Sequence, residues 1–243
     1  MTTPTATTTP AATTARARAR AELTAEIVDT ARQHLARDGA AALSLRAIAR
    51  ELGMASSAIY RYFPSRDDLL TRLIVDANDA LGVAAEHSEA RVKRTDLRGR
   101  FAATCAGVRE WALANPHEYA LIYGSPVPGY AAPVDTIGPA TRVATLLVAV
   151  MAQAHAEDRV TLNSESPLPR AAVRSMSPAV HAFPVELPSE LALRGLLAFS
   201  GIFGAISFEL FGQLHNVIDE DPKLREAFFT AEMARLADLV GLT

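Results

Sequence analysis

The spacing of apolar residues constrains this chain more than any other feature. They recur every three or four positions along nearly its whole length, and almost no segment alternates apolar with polar residues in the β-branched pattern of a strand. A chain patterned this way buries its apolar surface by packing helix on helix, so an all-α fold is predicted. The first helix is placed at about Ala21 to Arg37, where Leu23, Ile27, Ala31 and Leu35 fall four apart and Gly39 supplies a stop. Further helices are predicted at about Asp67 to His87, Leu97 to Ala114, Pro139 to Ala156, Ser189 to Asn216 and Pro222 to Val240. Residues 157–187 hold Pro167, Pro169, Pro178 and Pro184 without a helical period, and read as a long mobile loop.

The chain has 243 residues, 49% hydrophobic and 21% charged, which excludes extended disorder over most of its length and allows one large domain or two smaller ones. Its single cysteine excludes an intramolecular disulfide and a thiolate zinc site, and fits a reducing cytoplasm. Residues 1–19 read as a disordered tail: Met1 to Thr14 are rich in Thr, Ala and Pro, with no apolar core of a signal peptide. The longest charge-free apolar stretches, Val143 to Ala156 and Gly195 to Phe208, are 14 residues each. A bilayer span needs about 18 to 20, so no membrane association is expected. No GxSxG, HExxH, GxGxxG or P-loop sequence occurs, and the six histidines show no i, i+4 pairing, so no catalytic residues, cofactor or metal site are predicted. His117 and Glu118 come nearest to an acid/base pair, but adjacent helical positions face different ways.

The net charge of −3 argues against a protein that is basic throughout, yet the average conceals a division. Residues 1–72 carry 10 Arg against 7 acids, a charge of +3, whereas residues 73–243 carry 14 basic and 20 acidic groups, a charge of −6. Arg46, Arg50, Arg61, Arg66 and Arg72 cluster in one short region, and Arg16, Arg18 and Arg20 lead into it. Any one of them reads equally well as solvated surface; the cluster points to an anionic partner.

That cluster lies in the most informative stretch, Leu43 to Leu70. Ser44 is a natural N-cap, and Leu45, Ile48, Ala49 and Leu52 share one face of a two-turn helix that Gly53 breaks. After a turn at Met54 and Ala55, Ser56 or Ser57 caps a second short helix running to Phe63, which Pro64 ends. Ser65 then caps a third helix with Asp67 and Asp68 in its first turn, at the positive end of the dipole. Two short helices joined by a glycine turn and backed by a longer one make a helix-turn-helix, here spanning residues 44–63. In such a unit the start of the second helix meets base edges in the major groove. The small Ala55, Ser56, Ser57 and Ala58 permit close approach, Ile59 and Phe63 face the core, and Tyr60 and Arg61 point outward to phosphate or base. The backbone amides near Ser44 and Ser65 are ready anion sites, and Arg46, Tyr62 and Arg66 add donors beside them.

Residues from about Ala21 to Leu81 resemble the DNA-binding domain of the TetR family of transcriptional regulators. The likeness is carried by Asp38-Gly39, Leu43-Ser44, Ile48-Ala49, Leu52-Gly53 and above all the run from Ser57 to Leu70. Tyr62 stands where that family commonly has His, and Arg66 where it commonly has Lys. The resemblance implies a DNA-binding domain over residues 20–82 and a helical ligand-binding and dimerisation domain over 83–243. It further implies an Ω-shaped homodimer on a palindromic double-stranded operator, released when a small-molecule effector enters the second domain. Arg109 to Pro116 with His117, Tyr119, Tyr123 and Gly124, and then Gly201 to Gly212, resemble the family's C-terminal domain subgroup named for Trp, His and Gly.

Within the second domain, Phe101, Cys105, Trp111, Tyr119, Tyr123, Met151, Phe199, Phe203 and Phe208 are candidate pocket walls, though aromatic residues at helical spacing fit a packed core as well. Residues 191–214 and 227–240 are the expected dimer helices. The first is apolar nearly all round, with Gly201, Gly204 and Ala205 allowing close approach, and must be buried by more than one neighbour. The predicted function is a homodimeric repressor; an activator of the same fold, or an all-α ligand-binding protein or enzyme without DNA, are the alternatives.

Overall fold

The structure, a computed structural model, describes residues 15–162 and 167–243. Among these the chain is helical, with a single isolated bridge between Val160 and Leu242 in place of any sheet. It forms two compact units that divide after Leu70. That division falls inside the helix over residues 66–90, as does the predicted boundary near residue 82.

In the first unit, α1 (Ala15–Asp38) buries Ile27, Val28, Ala31 and Leu35, and ends at Gly39, whose positive φ of 77° lets its amide reach the Leu35 carbonyl at 3.0 Å. The helix starts six residues before the predicted Ala21, so the expected tail is helical from Ala15 onward. Alternating Ala and Arg are strong helix formers that need no apolar partner to extend a helix into solvent. Residues 1–14 lie outside the described residues. Next comes α2 (Leu45–Glu51), in which Ser44, at φ −138° and ψ 115°, accepts a hydrogen bond from the Ala47 amide. The unit closes on the first turns of α3 (Arg66–Ala90), whose Leu69 and Leu70 are fully buried.

In the second unit, the rest of α3 packs in a bundle with α4 (Leu97–Ala114), α6 (Ile137–Ala156), α9 (Ser189–Leu210) and α10 (Pro222–Val240). Phe101, Cys105, Val150, Ile202 and Val240 form its centre. Charged groups inside the bundle are matched by partners. Arg109 on α4 grips Glu209 on α9 through both Nε and Nη2, at 2.7 and 2.6 Å. The buried Arg100 reaches Glu89 and the Gln153 side chain, each at 2.5 Å, and Arg94 also pairs with Glu89. Arg142 on α6 meets Asp79 at 2.8 Å and Glu86 at 2.6 Å on α3. Gly82 makes room for it: a Cβ there would lie 2.8 to 2.9 Å from the Arg142 stem.

Two helical runs, Val134–Ala156 and Ser189–Leu210, are long and apolar enough to cross a bilayer by length and composition, longer than the charge-free stretches read from sequence. Arg142, Arg194 and Glu209 within them are each ion-paired, and both runs pack against one another and against α4 in the bundle.

Three local features depart from expectation. The short α5 (Pro116–Tyr123) follows α4 at once, because Asn115 closes α4 through its side-chain bond to the Trp111 carbonyl while Pro116 suits the first turn of a new helix. The segment expected to be a structureless loop over 157–187 holds α7 (Arg170–Ser175) and α8 (Ser177–His181), with prolines at their starts. Those prolines act as helix starters and not only as breakers. Third, α9 stops at Leu210, short of Asn216, and turns away through Gly212 at φ 81°.

Candidate nucleic-acid interface and effector cavity

Between α2 and α3 the chain reverses through Gly53 at φ 65°, with the Met54 amide on the Ala49 carbonyl at 2.8 Å. The second short helix predicted here is wound more tightly than an α-helix. The Ala58, Arg61 and Tyr62 amides each bond three residues back, and residues 59–61 form a 3₁₀ turn without a serine side-chain cap. Pro64 lacks the donor that would extend the segment, and restricts Phe63 before it.

The turn still sorts its side chains as expected. Ile59 is fully buried and Phe63 nearly so, whereas Ala55, Ser56, Ser57 and Arg61 are exposed and Tyr60 is 42% exposed. Arg46 and Arg50 are exposed on α2, while Ser44 and Tyr62 are half-buried. A small-residue edge followed by a phenol and a guanidinium can present donors to phosphate and base edges.

Two arginines do different work from the rest. Arg66, expected to offer charge to DNA, instead donates inward to the carbonyls of Ala40 at 2.8 Å, Leu43 at 3.2 Å and Ala41 at 3.3 Å, stapling the α1–α2 turn to α3. The Ala40 carbonyl, which also accepts the Leu43 amide, and the Ala41 and Leu43 carbonyls beside it give the guanidinium fork several acceptors at once. Arg20 was read only as part of a basic lead-in. Its Nη2 donates to the Arg61 carbonyl at 2.9 Å and its guanidinium lies 5.1 Å over the Tyr62 ring, so it holds the end of the reading segment from α1. Its place in the Ala-Arg run of α1 carries no signature of that contact. The Nε2 of buried His34 lies 2.7 Å from Glu51, a further tie between α1 and α2.

In the second unit, most of the aromatic residues proposed as pocket walls fill the core. Tyr119 is fully buried and its hydroxyl donates to the Phe203 carbonyl at 3.1 Å and meets Ser207 at 2.9 Å. Tyr123 stacks on Phe203 at 4.2 Å, and Phe199 tilts onto Phe203 at 4.6 Å. Burial pushes the phenols of Tyr119 and Tyr123 and the thiol of Cys105 up, so all three stay protonated. Phe101 is buried in the same cluster, Trp111 packs against it, and Phe208 is 54% exposed. Ring packing of this kind fills space between α5 and α9.

An open hollow of about 580 Å³ runs along residues 180–187 and includes His181 and Glu186, and beside it lies an apolar cavity. It has a volume of about 150 Å³, with Leu147 and Met151 of α6 as its floor, Gly195 and Phe199 of α9 as a wall, and Phe183 and Val185 after α8 as its roof. Of the proposed walls, only Met151 and Phe199 line it. Among the described residues no group of three or more His, Cys, Asp or Glu is placed to hold a metal ion.

Known proteins place this arrangement. Residues 27–73 match the family model described as bacterial regulatory proteins, tetR family, and residues 101–236 match that of the tetracyclin repressor-like C-terminal domain. The HTH-type transcriptional regulator Rv1816 of Mycobacterium tuberculosis is 40% identical over 206 residues, covering 84% of this chain and 87% of that protein. The crystal structure of the regulatory protein SCO4313 superposes with a TM-score of 0.73 at 32% identity, covering 93% of this chain and all of that one. A protein from Rhodococcus sp. RHA1 shares the fold at a TM-score of 0.64 and 23% identity, over 88% of this chain and 95% of that one. Both ends of the chain thus carry one signature, on a fold that exposes a helix-turn-helix. The chain belongs to the TetR family and is a DNA-binding transcriptional regulator, not an enzyme.

Proposed function

We propose that the protein is a homodimeric repressor of the cytoplasm that binds a palindromic operator and is released by a small molecule held in its second unit. The observation that carries the DNA half is the sorting of the reading segment, which buries Ile59 and Phe63 while turning Ala55, Ser56, Ser57, Tyr60 and Arg61 outward. Affinity would come from phosphate contacts and specificity from the few side chains entering the major groove. Dimerisation is supported by apolar side chains left exposed on the last two long helices and just beyond α9: Leu197, Phe208, Phe211, Leu224, Phe228 and Leu239. A second copy would cover them and bring a second reading segment one DNA turn away, about 34 Å.

The test is binding to a palindromic fragment from upstream of the gene. Tyr60→Ala should weaken binding roughly tenfold or more while sedimentation still finds a dimer. A Tyr60→Ala protein that binds as tightly as the parent would overturn the contact assignment, and a monomer at micromolar concentration would overturn the dimer.

A further inference from the structure

We propose that the effector site takes a small, uncharged, apolar molecule that offers no strong hydrogen-bonding group, about the size of one aromatic ring with a short alkyl tail. This rests on the reading of the second unit as the effector-binding unit and adds the chemical class.

Every side chain lining the cavity is Ala, Gly, Val, Leu, Met or Phe. The floor and wall are helices whose interior amides and carbonyls are already bonded along α6 and α9, so the backbone offers a ligand little more. An ion or an unpartnered hydroxyl entering such a site loses its water and gains nothing in return, whereas an apolar body loses nothing. The volume of about 150 Å³ sets the size. Apolar cavities of that order accept a benzene-sized guest, and they lie below the roughly 300 Å³ at which pockets for larger ligands begin.

Gly195 matters to the shape. A Cβ at that position would lie 2.7 Å from the Met151 methyl, so the wall is open there because residue 195 has no side chain. The roof differs in kind from the floor. Phe183 and Val185 come from the turn after α8, a helix of only five residues, while the floor belongs to the twenty-residue α6. The size limit is therefore set by the roof side chains and can be changed there without cutting into the bundle.

The probes are ethylbenzene, benzoate and benzylamine, matched in ring size and differing in charge, titrated into the full chain by calorimetry and by thermal unfolding. Ethylbenzene should saturate at one per chain and raise Tm, and the two ions should bind at least about a hundredfold more weakly. Ala192→Leu, which fills the cavity from α9, should abolish ethylbenzene binding. Phe183→Ala, which opens the roof, should admit butylbenzene, and carries the test if the filled variant does not fold. No saturable ethylbenzene binding, benzoate binding of equal strength, or ethylbenzene binding untouched by both variants would each overturn the proposal. Operator affinity is read separately. Ethylbenzene that binds as described yet leaves operator affinity unchanged supports the chemical class and overturns ligand-controlled release.

Discussion

Replacing Arg109 by Met tests how α4 and α9, 100 residues apart in sequence, are locked together. Arg109 and Glu209 are only 10% and 8% exposed, two charge-assisted hydrogen bonds join them, and the guanidinium also lies 5.3 Å over the Phe229 ring. Methionine keeps the apolar stem but leaves the Glu209 carboxylate without either donor and with Glu232 as a neighbouring charge. Breaking one side of a buried pair costs about 3–5 kcal/mol, because the surviving ion keeps its desolvation penalty. For a unit of this size that corresponds to a fall in Tm of roughly 10 °C. The double variant Arg109→Met/Glu209→Met should recover most of the loss, since exchanging a buried pair for apolar residues of similar volume is close to neutral. Urea unfolding followed by circular dichroism at pH 7 measures both. A single variant within about 1 kcal/mol of the parent, or a double no more stable than the single, would refute the reasoning.

Burial, and then the nearby Glu209, pushes the Glu232 carboxyl above the usual carboxylate range. A raised folded value means this group favours folding below its unfolded value and that the benefit is lost as pH rises through the folded one. Glu232→Gln should therefore gain less than about 1 kcal/mol near pH 7 and nothing at pH 4, as read from paired urea curves, and an equal gain at both would contradict it. Cys105 is fully buried and its thiol is pushed up, so a disulfide reagent at pH 8 should label it only in denaturant; rapid stoichiometric labelling of the folded protein would show that burial wrong. Arg20→Gln should weaken operator binding several-fold with the helical spectrum unchanged and Arg20→Lys restoring part of it, because Arg20 positions the reading segment; full affinity in Arg20→Gln would remove that role.

The sequence was most legible where one element was both periodic and capped. Helices α4 and α10 begin and end at the residues expected from the apolar spacing, and the structure adds side-chain caps from Asp96 and Asp221 at their starts. The helix-turn-helix was legible for the same reason, with Ser44, Gly53 and Pro64 punctuating it. Less legible were positions where one residue serves two elements. Asn115-Pro116 reads as a stop and is also the start of α5, and Pro178 reads as a breaker and sits in the first turn of α8. The direction in which an arginine reaches has no signature in spacing: Arg66 and Arg61 look alike in sequence, and only the turn carbonyls of Ala40, Ala41 and Leu43 within reach of Arg66 distinguish them. The cavity was hidden in the same way. Aromatic spacing points to Tyr119, Tyr123 and Phe203, which fill space against one another, while the roof comes from residues near Phe183 that follow no helical period.

The inward turn of Arg66 and the docking of Arg20 also bear on how binding responds to salt. Each phosphate neutralised by a protein cation releases condensed counterions, and the slope of log affinity against log salt is about −0.9 per phosphate. An arginine already donating to backbone carbonyls keeps its charge but has fewer N–H groups left to meet a phosphate. The basic surplus of residues 1–72 thus overstates how many arginines are free to make direct phosphate contacts. A salt titration would count Arg46, Arg50 and Arg61 more fully than the two arginines whose charge holds the reading unit in shape.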